Sequence, residues 1–204
     1  EPLTVTGAAF VLTLVLAVGW TLAWLAMSGS ALVPSVVIGV GGPTVLGFLV
    51  AGVLAPVVGE LIRQAGPLFL ASRPKFDDLM DGLTFGVISG VAYATGDTLV
   101  KHWALITGGF SSGTDGGAWL ALLVLEGFVK PLVLGTATGI ACAEFSGLGQ
   151  GYDGFTNRYF RGLGEAMLAS VLYFGGTYLL SFVPNPTIGN VLSILYGIAL
   201  LAVL

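Results

Sequence analysis

Residues 81–103, DGLTFGVISGVAYATGDTLVKHW, form an apolar run long enough to cross a bilayer, yet they carry Asp81 at the start and Asp97, Lys101 and His102 toward the end. A spanning helix needs ~20 predominantly apolar residues, and an ionisable group inside one must meet a partner or a wet cavity. The same run steps its smallest residues by four: Gly82, Gly86 and Gly90, continued by Ala94 and Thr98. Residues four apart share a helix face, so one face is nearly bare and predicts close contact with another helix backbone. Charges beside such a seam form either the wall of a buried polar site or a structural pillar.

The rest of the chain is equally apolar. Its 204 residues are 55% hydrophobic and only 9% charged, and 32 are glycine. This leaves no room for a soluble domain and implies one all-α domain over residues 1–204, a polytopic transmembrane helical bundle embedded in a lipid bilayer. The net charge of −4 comes from few scattered residues. Without a basic stripe, nucleic acid is excluded as a partner. The single Cys142 has no partner for an intrachain disulfide and reads as a core residue. The chain opens on Glu1 rather than Met, so it is expected to be a portion of a longer product.

Six spans are expected, at about 3–27, 44–71, 81–103, 118–145, 162–183 and 188–204. Residues 31–43, interrupted by Pro34, Gly39, Gly41, Gly42 and Pro43, predict an irregular or partly inserted segment; a seventh crossing over 31–50 is the alternative. Pro56 and Pro67 predict bends in the second span, and Gly135 with Gly139 gives the fourth span a close-packing step of its own. A loop rich in Gly, Ser and Thr is expected over 104–117. The basic residues of the connecting segments fall at Arg73 with Lys75 and at Arg158 with Arg161. The positive-inside rule puts both loops in the cytoplasm, and the membrane is expected to be a bacterial cytoplasmic membrane.

Three spans carry internal charge. Counted at ~1.5 Å per residue, Glu60 and Glu126 both come near the midplane, with Arg63 and Lys130 about one turn away. Glu60, Arg63, Asp97, Lys101, Glu126 and Lys130 are therefore the candidate intramembrane polar network. The simplest arrangement is local pairing of Glu60 with Arg63, Asp97 with Lys101 and Glu126 with Lys130. His102, the only histidine, does not supply the three protein ligands of a catalytic metal; no metal and no cofactor is expected. Asp77, Asp78 and Asp81 lack the glycine and terminal glutamate of a calcium-binding loop, and Asp78 or Asp81 is expected to cap the third span.

The order APVVGELIR (55–63), a basic turn, DGLTFGVISGVAYATGDT (81–98) and KPLVLGTATG (130–139) resembles the PrsW family of intramembrane proteases, relatives of the CAAX-protease and bacteriocin-processing group, over about residues 44–145. That family has a Glu-Glu pair followed by a basic residue. It continues with an Asp-Gly entry to a glycine-rich span ending in Phe-Ala-x-x-Glu-Asn, and with a later histidine. The resemblance implies Glu60 and Asp97 as candidate catalytic residues. The chain departs from it at Gly59 in place of the first Glu, at Tyr93, Asp97 and Thr98 within the second motif, and at Leu134 where the histidine is expected. Leucine activates no water and stabilises no oxyanion. The expected function is thus a PrsW-like pseudoprotease, a membrane scaffold or binding subunit that recognises other transmembrane helices through its glycine seams. The alternatives are an active glutamate- or aspartate-dependent protease using Glu60 and Asp97, and a small transporter or channel component lined by Glu60, Arg63, Glu126 and Lys130.

Overall fold

The computed structural model describes residues 3–28, 43–71, 79–109, 116–146 and 155–204. Within them the chain is an all-α bundle of α1 (Leu3–Ser28), α2 (Val45–Leu70), α3 (Leu79–Lys101), α4 (Trp103–Gly108), α5 (Gly116–Phe145), α6 (Asn157–Leu180) and α7 (Pro186–Val203). Six of these helices, all except α4, are long and apolar enough to cross a membrane. Residues 45–50, part of the alternative seventh crossing, belong to α2. Residues 29–42 lie outside the described residues, as do Arg73, Lys75, Asp77 and Asp78. Asp81 lies within the first turn of α3 and Lys101 within its last, the acid and the base each at the helix end whose dipole favours it.

Two boundaries differ from expectation. α6 starts at Asn157 rather than near 162, because the Thr156 hydroxyl accepts a hydrogen bond from the Tyr159 amide at 3.4 Å and caps the helix there. Arg158 and Arg161 consequently sit on the first turns of a helix, not in a loop, and pair with Glu144 at 2.6 Å and Glu165 at 2.9 Å. Residues 104–108, expected within a loop, belong with Trp103 to α4. It ends at Gly109, whose φ of 66° favours a residue without a Cβ.

The proline of α2 acts through a different device from a simple bend. Before Pro56, residues Phe48–Leu54 are π-helical, closed by the Ala55 amide donating to the Val50 carbonyl. α5 repeats this before Pro131, with a π-helical Leu122–Val129 closed by the Lys130 amide on the Leu125 carbonyl. A proline ring clashes with the carbonyl four residues earlier and supplies no amide for it; a widened turn moves that carbonyl aside. Pro67 lies inside regular α-helix.

α3 is the centre of the bundle. Half of its apolar stretch is buried, more than in any other span, and it packs most extensively on α5, then on α1 and α2. The two glycine steps face one another. A Cβ on Gly86 would stand 2.7 Å from both the Gly139 Cα and the Thr138 carbonyl oxygen, and one on Gly90 would stand 2.5 Å from the Gly135 Cα. The backbones therefore touch where the side chains are missing. On its other side α3 meets α1, where a Cβ on Gly96 would be 3.0 Å from Ala17. Ala9, Thr13, Ala17 and Thr21 of α1 are all buried, a four-residue step of small residues that matches the step in α3.

Replacing Gly86 by Leu is expected to separate α3 from α5 and to lower the thermal midpoint of the detergent-solubilised protein strongly, by the upper part of the ~1–3 kcal/mol typical of overpacking or more. Gly164, where a Cβ meets nothing within 4 Å, is the control, and Gly164→Leu should leave the midpoint nearly unchanged. Equal midpoints for the two variants would contradict the seam.

Candidate functional site

The six charges expected to form one network fall into two clusters at different depths. In the first, Glu60 and Arg63 of α2 are both completely buried. Their three-residue spacing puts them on one face, turned toward α3, α5 and α6. Arg63 donates to Glu60 Oε2 through Nη2 at 2.5 Å and Nε at 3.1 Å. Ser170 of α6 accepts from Nη2 at 2.6 Å and donates to the same carboxylate oxygen at 3.2 Å. The other oxygen, Oε1, accepts from Gln64 Nε2 at 2.7 Å and from the Thr138 hydroxyl at 3.1 Å. Both carboxylate oxygens are thus fully engaged by protein donors. Cys142 is buried and donates to Gln64 Oε1 at 3.2 Å; the Ser89 hydroxyl donates to the Arg63 carbonyl at 2.6 Å and meets Thr13 at 3.0 Å.

One donor is left over. Arg63 Nη1 is buried and has no hydrogen-bond partner among the described residues, while the guanidinium carbon lies 4.7 Å from the centre of the Tyr93 ring. A Cβ built on Gly59 would lie 3.4 Å from that Nη1 and 2.6 Å from the Tyr93 hydroxyl. Position 59 is therefore where a partner for Nη1 could come from, and the Tyr93 hydroxyl occupies the space.

The second cluster lies toward the end of the bundle where α3 finishes. Asp97 Oδ2 accepts from Lys130 at 2.6 Å and pairs with Lys101 at 2.9 Å, and Oδ1 accepts from the Thr21 hydroxyl at 2.9 Å. Lys130 also binds Glu126 Oε2 at 2.5 Å, and that oxygen accepts from Thr98 at 2.9 Å. All three local pairs form, but Lys130 additionally joins Asp97 of α3 to Glu126 of α5. Just beyond the span, burial pushes the His102 imidazole below its ordinary 6.5 against the opposing influence of Glu126. His102 is therefore neutral at pH 7, and its 3.9 Å approach to Glu126 is not an ion pair there.

The matched depths expected for Glu60 and Glu126 are not observed. Glu60 is level with Thr138 on α5, which is ~18 Å along the helix from Glu126 at the usual rise. Among the described residues no hydrogen bond or ion pair joins the two clusters, and the catalytic candidates Glu60 and Asp97 are each held by different partners. Leu134 is completely buried in an apolar cluster with Tyr93 and Ala94. Among the described residues no three His, Cys, Asp or Glu side chains come together as a metal site. Thr13, Thr21, Gln64, Ser89, Thr138 and Ser170 complete the clusters without having been singled out; small polar residues within apolar spans are the signal that marks them.

A cavity of about 260 Å³ opens beside the second cluster, lined by α1, α2, α3 and α6, and its wall includes Asp97, Lys101 and Tyr93. Glu60, by contrast, is completely buried and paired with Arg63. No family model matches the chain, and neither a curated protein nor a solved structure is significantly similar to it.

Breaking the dry pair from one side should be costly. Arg63→Met strands the Glu60 carboxylate and is expected to destabilise by ~3–5 kcal/mol, whereas Glu60→Gln with Arg63→Met should recover much of that loss. Thermal unfolding in detergent measures both; a double variant no more stable than Arg63→Met would show that the pair is not what the buried charge depends on.

Proposed function

We propose that this chain is a PrsW-like integral membrane protein of the bacterial cytoplasmic membrane that does not cleave peptides and serves as a scaffold or binding subunit for other transmembrane helices. The observation that carries the proposal is the closed coordination of Glu60. A carboxylate that activates water needs a free lone pair within reach of that water, and both oxygens of Glu60 are engaged by Arg63, Gln64, Thr138 and Ser170 in a site with no exposure. Asp97 is likewise consumed by two lysines and a threonine. Neither carboxylate has the pairing that proteolysis requires.

The unpartnered Arg63 Nη1 beside Gly59 supports the family resemblance. A second glutamate in that place would satisfy it, and the Tyr93 hydroxyl now intrudes where the family pattern has Phe. Gly59→Glu alone should therefore destabilise the protein, and adding Tyr93→Phe should relieve much of the loss. Purified protein is expected to leave transmembrane peptide substrates intact. Substrate cleavage that vanishes in a well-folded Glu60→Gln variant would replace the scaffold with a protease, and equal stability of the single and double position-59 variants would remove the argument for a lost glutamate.

The proposed orientation places the segment joining α2 to α3, with Arg73 and Lys75, and the start of α6, with Arg158 and Arg161, on the cytoplasmic side. Successive long helices alternate in direction, since late α1, early α2, late α3 and late α6 meet around one cavity, which is consistent with both basic segments sharing a side. Cysteines introduced at positions 75 and 158 should resist an impermeant thiol reagent applied to intact cells, while one at 113 should react; the reverse pattern inverts the orientation.

A further inference from the structure

The cavity at the α3 end of the bundle has a composition that the scaffold reading leaves unused. Trp20 and Trp24 of α1, Phe174 and Tyr178 of α6, and Asp97 and Lys101 of α3 line it. The two tryptophan rings lie 6.1 Å apart, and the Lys101 ammonium stands 5.5 Å from the centre of the Phe174 ring. Aromatic walls favour a body that is partly apolar. The charge available to an occupant is decided by exposure. The Asp97 side chain is 5% exposed and its oxygens already accept from Thr21, Lys130 and Lys101, whereas the Lys101 side chain is 34% exposed. An ammonium has three donors, and among the described residues only the Asp97 carboxylate is bonded to this one, so the cavity presents spare cationic donors and almost no anionic surface.

The position restricts the class further. Lys101 is the last residue of a span and Trp20 and Trp24 lie near the end of theirs, the level where aromatic and basic side chains meet lipid headgroups. The helices around the cavity are themselves long and apolar enough to span, so the cavity lies among membrane helices at the end of their spans. We propose that this cavity binds an anionic phospholipid, with Lys101 taking the phosphate and Trp20, Trp24, Phe174 and Tyr178 packing against the glycerol and the upper acyl chains. A headgroup carrying a quaternary ammonium brings a second cation toward Lys101 and binds less well. The volume of about 260 Å³ holds the phosphate and glycerol and leaves the acyl chains in the surrounding bilayer. The proposal rests on insertion in the membrane and is independent of whether the chain cleaves peptides.

The test uses the full chain purified in a non-ionic detergent, with thermal stability and native mass spectrometry as readouts. Phosphatidylglycerol should bind saturably and raise the unfolding midpoint, phosphatidylcholine at the same mole fraction should do so much less, and millimolar inorganic phosphate should have no effect. Lys101→Gln should weaken phosphatidylglycerol binding about tenfold or more, which corresponds to ~1.4 kcal/mol, without changing the weak response to phosphatidylcholine. Because Lys101 also pairs with Asp97, Ala51→Leu is the second variant: it narrows the cavity that Ala51 lines, touches none of the ions, and should also lower phosphatidylglycerol affinity. Equal binding of the two lipids, or phosphatidylglycerol binding unchanged in Ala51→Leu, would overturn the site. Protection by inorganic phosphate equal to that by the lipid would overturn the lipid in favour of a soluble anion.

Discussion

The backbone contact between α3 and α5 sets the register on which both polar clusters depend. With Gly86 and Gly90 laid against Gly139 and Gly135, no side chain keeps the two helices apart, and their relative height is defined to a fraction of a turn. That height puts Lys130 beside Asp97 at one level, while Thr138 faces Glu60 and Ser89 meets the Arg63 carbonyl at another. Sliding α5 by a single turn, ~5.4 Å, would carry Lys130 away from Asp97 and Thr138 away from Glu60 together. Buried ions contribute little net stability even when well paired. Their effect here is selective: each wrong register leaves a charge uncompensated in a low-dielectric interior, so the ions reinforce the register that the glycine contact sets.

Much of this arrangement was legible in the residues and some was not. The span number, the central place of 81–101 and its use of a bare glycine face follow from apolar length and a four-residue step. The short-range ion pairs follow from spacings of three and four. The depth relation between Glu60 and Glu126 does not follow from distances to span ends, because it depends on where Gly135 and Gly139 meet α3. A count along each helix carries no information about the offset between helices. The contribution of α1 is hidden in the sequence for a related reason. Ala9, Thr13, Ala17 and Thr21 step by four as plainly as the glycines do, but alanine and threonine in an apolar span attract no notice until a facing partner such as Ser89 or Asp97 is placed.

The start of α6 differs from the sequence expectation, since arginines beside a Gly-rich loop suggest solvent. Thr156 shows why the helix begins earlier: it satisfies the Tyr159 amide at 3.4 Å, and each arginine finds a carboxylate on its own helix or on α5. The early start matters for the interior. It extends the helix that carries Ser170 and Tyr173 into the core, and Gly162 packs on α5 where a Cβ would lie 3.2 Å from the Ala141 Cα. A second close approach of backbones thus anchors α6 to the same helix that carries Thr138.

The two clusters differ in what they can still do. Around Glu60 both carboxylate oxygens have donors and no exposure remains, and among the described residues the one unmet group of the cluster is a donor, Arg63 Nη1. Around Asp97 the same acid-base chemistry is finished on the inside by Lys130 and left open on the outside by Lys101. The difference traces to position on the helices. Glu60 lies deep in α2 between three neighbours, whereas Lys101 ends α3 where aromatic rings from α1 and α6 line a cavity. A charge placed deep has to be satisfied by the protein itself, and one placed at the end of a span can keep donors for something else. That gradient, from a sealed pair to a cation with unused hydrogens, is why the interior of this bundle reads as structure and its α3 end as the place where the molecule meets a ligand.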